Sequence, residues 1–214
     1  MKAFTPAERR LIARLRIPKQ VQHFLNRLPY NTEPRGETLR SFREVARRRT
    51  AHCAEAALFA ACVLEQHGYP PLLFTIESID LLDHVLFLYR ERGRWGTVAR
   101  SRDPGLHGRK PVFRTLRALA MSYFDEYVDA TGGVSGYASY DLRELGGYDW
   151  RFANRNMWKV EDTLIEVRHT RVHVPRARIT KMRARYLAYR AKYDKKPLFY
   201  RGRKNWTEIP NEFL

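Results

Sequence analysis

The sequence predicts an α+β fold, with helices first, then one fully buried helix, then an antiparallel sheet. Three observations carry this. Residues 54–64 are rich in Ala and Leu and apolar on nearly every side, as a buried helix is. Gly68 can take the left-handed position at its end, and Pro70 and Pro71 block continuation. Short apolar runs at 72–76, 84–89 and 95–99 then follow, the second and third separated by a turn at 90–94, as in a meander.

The flanking elements follow in order. Thr5, Pro6 and Glu8 open a first helix, because Thr caps, Pro suits the first turn and Glu8 has capping-box spacing. Leu11, Ile12 and Leu15 form its apolar stripe. Pro18 opens a second helix with Val21, Phe24, Leu25 and Leu28 at helical spacing, and Pro29 ends it. The polar stretch 31–36 reads as a loop. Leu39, Phe42, Val45 and Ala46 make a third helix, and Thr50 is expected to cap the buried one. Beyond the strands, 102–111 reads as a loop and 115–127 as one helix. The Gly/Tyr-rich stretch 131–149 reads as irregular, and 158–167 is open between helix and strand. Residues 176–193 read as a helix with Ile179, Met182, Tyr186, Tyr189 and Tyr193 in a stripe. This divides the chain into a domain over 1–150 and a basic extension over 151–214 packed on it.

Composition narrows the function classes. The 214 residues carry 40 Lys+Arg against 23 Asp+Glu, a net +17. With 44% apolar residues the chain can build a core, which excludes a disordered basic tail. No run approaches the roughly 20 apolar residues of a membrane span, and the N-terminal stretch has no signal-peptide block. Two cysteines, Cys53 and Cys62, exclude a disulfide scaffold and a four-cysteine zinc site, and a cytoplasmic setting is expected. The charge is uneven: residues 151–204 hold 17 Lys+Arg and 4 acids.

The chemistry centres on Cys53. It falls in the first turn of the buried helix, where unpaired N–H groups and the dipole favour a thiolate. Cys62 lies nine residues further on, about 13.5 Å along the axis. That is too far for a disulfide, so it reads as core filler. His84 begins a strand that returns past the helix start if the sheet packs on the helix. Its imidazole can then take the thiol proton. Trp95 is placed to wall the site.

The stretch Thr50-Ala-His-Cys-Ala-Glu-Ala-Ala-Leu-Phe-Ala-Ala, then Gly-Tyr-Pro-Pro71, Asp83-His-Val-Leu-Phe-Leu-Tyr and Gly93-Arg-Trp-Gly-Thr-Val resembles a transglutaminase-like domain over about 37–127. The resemblance implies a papain-like, transglutaminase-like fold. In it, N-terminal helices and a central Cys-bearing helix pack on an antiparallel β-sheet, with the basic helical extension at the C-terminus. It implies Cys53 as nucleophile and His84 as general base. The superfamily includes transglutaminases, peptidases, amidases and inactive members. Its orienting Asp, four residues after the Trp, is Ala99 here. Ser101 and Asp103 share the side-chain face of Ala99 on an extended chain and are the substitutes.

The expectation is a cysteine hydrolase or acyl transferase, without cofactor or metal, acting on a peptide or protein amide. The alternative is an inactive module docking nucleic acid or an acidic protein through 151–204, where arginines and tyrosines interleave. His52 is expected on the surface, about 100° around the helix from Cys53. His169 and His173 have the four-residue spacing of a helical metal pair but lack its glutamate, and nearby arginines would repel a cation.

Overall fold

A computed structural model describes residues 3–79, 83–128 and 132–193. Its first two helices, α1 (Pro6–Arg14) and α2 (Pro18–Asn26), both begin on proline. The capping box of α1 is formed: Glu8 N donates to Thr5 Oγ1 at 3.2 Å, and Thr5 N donates to Glu8 Oε2 at 2.7 Å. Ser41 caps α3 (Phe42–Arg48). Next comes α4 (Cys53–Glu65), in which every residue from Ala56 to Leu64 is fully buried. Ala and Leu favour the helix intrinsically, but burial holds it, each large apolar side chain contributing about 2 kcal/mol.

The strands are β1 (Leu72–Ser78), β2 (His84–Glu91), β3 (Arg94–Val98), β4 (Arg109–Phe113), β5 (Val134–Asp141) and β6 (Thr170–Arg171). They form one sheet in the order β4-β3-β2-β1-β5-β6, with every pairing antiparallel. Side chains alternate between its two faces. Leu73, Val85, Phe87, Tyr89 and Val98 pack against α4 and the N-terminal helices. Phe74, Ile76, Leu86 and Leu88 pack against α5 (Leu116–Met121), α6 (Phe124–Tyr127) and α8 (Arg176–Tyr193). The sheet is therefore covered on both sides, and β2 is buried along 84–89.

The basic extension belongs to these layers. Val160 and Leu164 of α7 (Trp158–Glu166) join the core around α4. Met182 and Tyr186 of α8 close the opposite core. No helix among the described residues is long and apolar enough to cross a membrane.

Four local expectations change. The segment expected to be irregular contains β5, which pairs along the whole of β1. Tertiary pairing outweighs the poor strand propensity of its Gly and Ser. The expected loop at 102–111 ends in β4, an edge strand that tolerates Pro111. The single helix expected at 115–127 breaks at Ser122, whose hydroxyl donates to Leu119 O at 2.7 Å. The undecided segment at 158–167 is helical.

Candidate active site

Cys53 is the first residue of α4 and is half-buried, whereas Cys62 is fully buried; both are free thiols. Burial by itself pushes the Cys53 thiol up. Hydrogen bonds from His52 and His84 and the charges of both rings overcome it and hold the thiol well below its ordinary value. Cys62, in the same helix, is pushed well above that value by burial. One helix thus holds a thiol prepared to ionise and one prevented from it.

His52 corrects the sequence expectation. It is not on the surface, and it rather than Thr50 is the N-cap of α4. Its backbone is extended, at φ −93° and ψ −173°, so the 100° helical rotation does not apply to its side chain. The ring turns inward, Nε2 lying 2.7 Å from Thr38 O, 3.6 Å from Glu55 Oε1 and 3.7 Å from Glu33 Oε1. Burial opposes its charge, but the bond to Cys53, the Cys53 and Glu55 charges and the Thr38 carbonyl raise it to about 9. His52 is a cation at neutral pH. A signal for it exists in the sequence: Glu55 stands three residues after His52, the capping-box spacing. In the structure, His52 N donates to Glu55 Oε2 at 3.1 Å.

Glu55 organises this side of the site. Fully buried, it also accepts from Thr38 Oγ1 at 2.7 Å, Asn31 Nδ2 at 3.1 Å and Arg40 N at 3.2 Å. These bonds tie the 31–40 loop to the helix start. Asn31 N donates to Ala51 O at 3.1 Å, which brings Tyr30 beside Cys53. Burial, and next the Cys53 charge, raise the Tyr30 phenol.

His84 starts β2 and is 4% exposed. Alternation turns its ring toward the face of Leu86 and Leu88, opposite α4, where it meets Tyr123 edge-on at 6.3 Å between ring centres, yet as the first residue of the strand it still bonds to Cys53. Its Nε2 lies 2.8 Å from the backbone carbonyl of Leu106. With Nε2–H donating there, Nδ1 is the nitrogen left for a proton from Cys53.

The orienting group is therefore a carbonyl rather than one of the side chains expected for it. Ser101 and Asp103 act one step back, on the loop that carries Leu106. Asp103 N donates to Ser101 Oγ at 3.2 Å, Gly105 N to Asp103 Oδ1 at 2.9 Å, and Leu106 N to Asp103 O at 3.0 Å. The resulting 3-10 turn spans Pro104–Leu106. A side chain at Gly108 would run into Gln22 and the backbone carbonyl of Thr97, so the loop needs glycine there, whereas one at Gly105 would displace the Glu126 side chain. Ala99 is fully buried in the second core, its backbone held by Gln22 through bonds of 2.8 and 2.9 Å. Trp95 does not wall the site. It pairs with Arg90, six residues and about 20 Å along β2 from His84.

Cations crowd the His84 side. Arg100 donates to Leu28 O at 3.2 and 3.3 Å, and its Nη1 lies 3.0 Å from His107 Nε2. Burial first, then the charges of Arg100, His84 and Arg109, push His107 down to about 4 against its Ser101 carbonyl contact, so it stays neutral.

His169 and His173 flank β6, an extended segment, so four residues place them about 13 Å apart. His169 is bound to Thr75 Oγ1 at 2.7 Å and Val167 O at 2.9 Å. Among the described residues no group of three or more His, Cys, Asp or Glu could hold a metal ion. Of the tyrosines interleaved with the basic residues, Tyr186 is 5% exposed and packs in the core, which removes it from base stacking. The side chains of Tyr189 and Tyr193, and residues 194–204, lie outside the described structure.

No protein-family model and no curated protein matches the chain.

Proposed function

We propose that this chain is a transglutaminase-like, papain-like cysteine enzyme acting on an amide or related acyl group of a peptide or protein. The observation that carries the reading is the half-buried Cys53 thiol at a helix N-terminus, held low by two imidazoles, with Cys62 as its inert counterpart.

The thiolate attacks the carbonyl carbon. An S–C bond forms and the carbonyl π pair moves to oxygen, where the Cys53 N–H at the start of α4 stabilises the charge. The tetrahedral intermediate collapses, the C–N bond breaks, and the His84 imidazolium gives its proton to the leaving amine. A thioester remains. Water, or an amine in acyl transfer, loses a proton to His84 and attacks the thioester, and the thiolate leaves. His52 does not shuttle protons. Held at about 9, it keeps a positive charge beside the sulfur throughout. Two free cysteines suit the reducing cytoplasm, where such a thiolate survives.

The test uses an activated acyl ester, p-nitrophenyl acetate, on the full chain. The expected result is a burst of one nitrophenolate per chain, with one acetyl group on Cys53 by peptide mass mapping. C53A abolishes the burst and C62A keeps it. Acylation without preference for Cys53 over Cys62 overturns the reading.

A further inference from the structure

We propose that Arg109 is a positioning residue for His84, acting through the Leu106 carbonyl; this rests on the reading of Cys53 and His84 as the reactive pair. Arg109 is 1% exposed and lies at the start of β4, immediately after the loop that carries Leu106. Its Nη2 donates to Gly105 O at 2.6 Å and its Nη1 to His107 O at 3.1 Å. These two carbonyls flank the one that meets His84 Nε2 at 2.8 Å. With both neighbours turned toward the guanidinium, the intervening Leu106 carbonyl is the one presented to the imidazole.

The guanidinium is itself fixed. Its Nε donates to Ser122 Oγ at 3.3 Å and its Nη2 to Ser122 O at 3.2 Å, and it lies 4.0 Å from the centre of the Tyr123 ring. Thr97 Oγ1 accepts from Arg109 N at 3.0 Å and lies 2.6 Å from the Tyr123 hydroxyl. A buried guanidinium is costly unless its N–H groups find acceptors. Here the acceptors are three backbone carbonyls and a hydroxyl, two of the carbonyls in the loop behind His84. A carbonyl on a short loop is a poor orienting group unless the loop is rigid, because a hydrogen bond weakens steeply as its angle opens. Arg109 supplies the rigidity that an orienting carboxylate would otherwise provide.

The substitutions are R109M, R109K and S122A, each made in the full chain and checked for folding by circular dichroism. Two readouts are used. The first is the pH dependence of Cys53 alkylation by iodoacetamide. The second is His84 side-chain NMR in a C53A background, which reads the Nε2–H proton independently of cysteine chemistry. Loss of one hydrogen bond to a charged imidazole slows Cys53 alkylation in R109M about tenfold at pH 7 and moves its midpoint upward. R109K, whose single ammonium cannot span both carbonyls and Ser122, falls between R109M and wild type. S122A frees one edge of the guanidinium but leaves both loop carbonyls gripped, so its midpoint moves less than that of R109M. His84 Nε2–H exchanges faster in R109M and R109K.

If R109M does not fold, R109K decides. A folded Arg109 variant with the wild-type pH profile and a protected Nε2–H overturns the proposal. Equal alkylation of Cys53 and Cys62 in the wild-type chain defeats the enzyme reading instead. In that case the NMR readout still reports whether Arg109 positions His84.

Discussion

The two imidazoles beside Cys53 are held alike and surrounded differently. His52 Nε2 lies 2.7 Å from Thr38 O, and His84 Nε2 lies 2.8 Å from Leu106 O. Behind His52 stand two carboxylates, Glu55 at 3.6 Å and Glu33 at 3.7 Å. Behind His84 stands a loop pinned by two arginines and a neutral histidine. A carbonyl fixes a ring's direction without adding charge, and a carboxylate also fixes its protonation. The same side chain is thus held as a cation on one side of the sulfur and, in the proposed reaction, serves as the proton carrier on the other.

Removing each ring separates the roles. H84A takes away the proposed proton carrier, and acylation of Cys53 by p-nitrophenyl acetate falls about 10²- to 10⁴-fold, read from the burst rate. H52Q takes away a charge and keeps the shuttle. Its alkylation midpoint moves upward and its burst at high pH is retained, with a loss of about tenfold at pH 7. If the two variants lose activity equally at all pH values, the division between them is wrong.

Stability against pH sharpens the contrast further. His52 is raised to about 9, so its contribution is fully present below the unfolded value near 6.5 and is lost as pH rises through 9. His107 is lowered to about 4, so the folded state loses stability as pH falls from about 6.5 through 4, where the unfolded chain binds the extra proton. Cys53, held low, opposes the His52 change: between about pH 6.5 and 8.5 the folded chain carries one proton more at His52 and one fewer at Cys53 than the unfolded chain, so the two nearly cancel. Thermal unfolding across pH 4–8 therefore shows an acid limb on the order of 2 kcal/mol and little slope above it. H107Q flattens the acid limb. An acid limb indifferent to H107Q would show that the proton is taken up elsewhere.

How far the site was legible depended on where its information is stored. The positions of Cys53 at a helix start and His84 at a strand start were readable because each lies where a local pattern begins. His52 reads as a surface residue only under helical geometry; it is an N-cap whose backbone is extended, so its ring turns inward. Ser101 and Asp103 stand out by their spacing from Trp95, but in the structure they build the turn that presents Leu106. The Leu106 carbonyl itself had no signature, since every residue carries a carbonyl and only the chain's path selects one. Arg109 lay in what read as a loop, one arginine among many.

The same division holds for the fold. Composition and periodicity alone determined the buried Ala/Leu helix, its Gly-Tyr-Pro-Pro end, the central strands and, in the last helix, the apolar positions Ile179, Met182 and Tyr186. These are local patterns, and burial enforces them wherever they occur. Only the tertiary structure decided that Gly/Tyr-rich 134–141 is a strand beside β1, that the basic extension closes both cores, and that a carbonyl stands where the Ser101 or Asp103 side chain was expected. Each depends on partners distant in sequence, and pairing and burial energies between distant segments exceed the local propensities that a sequence displays.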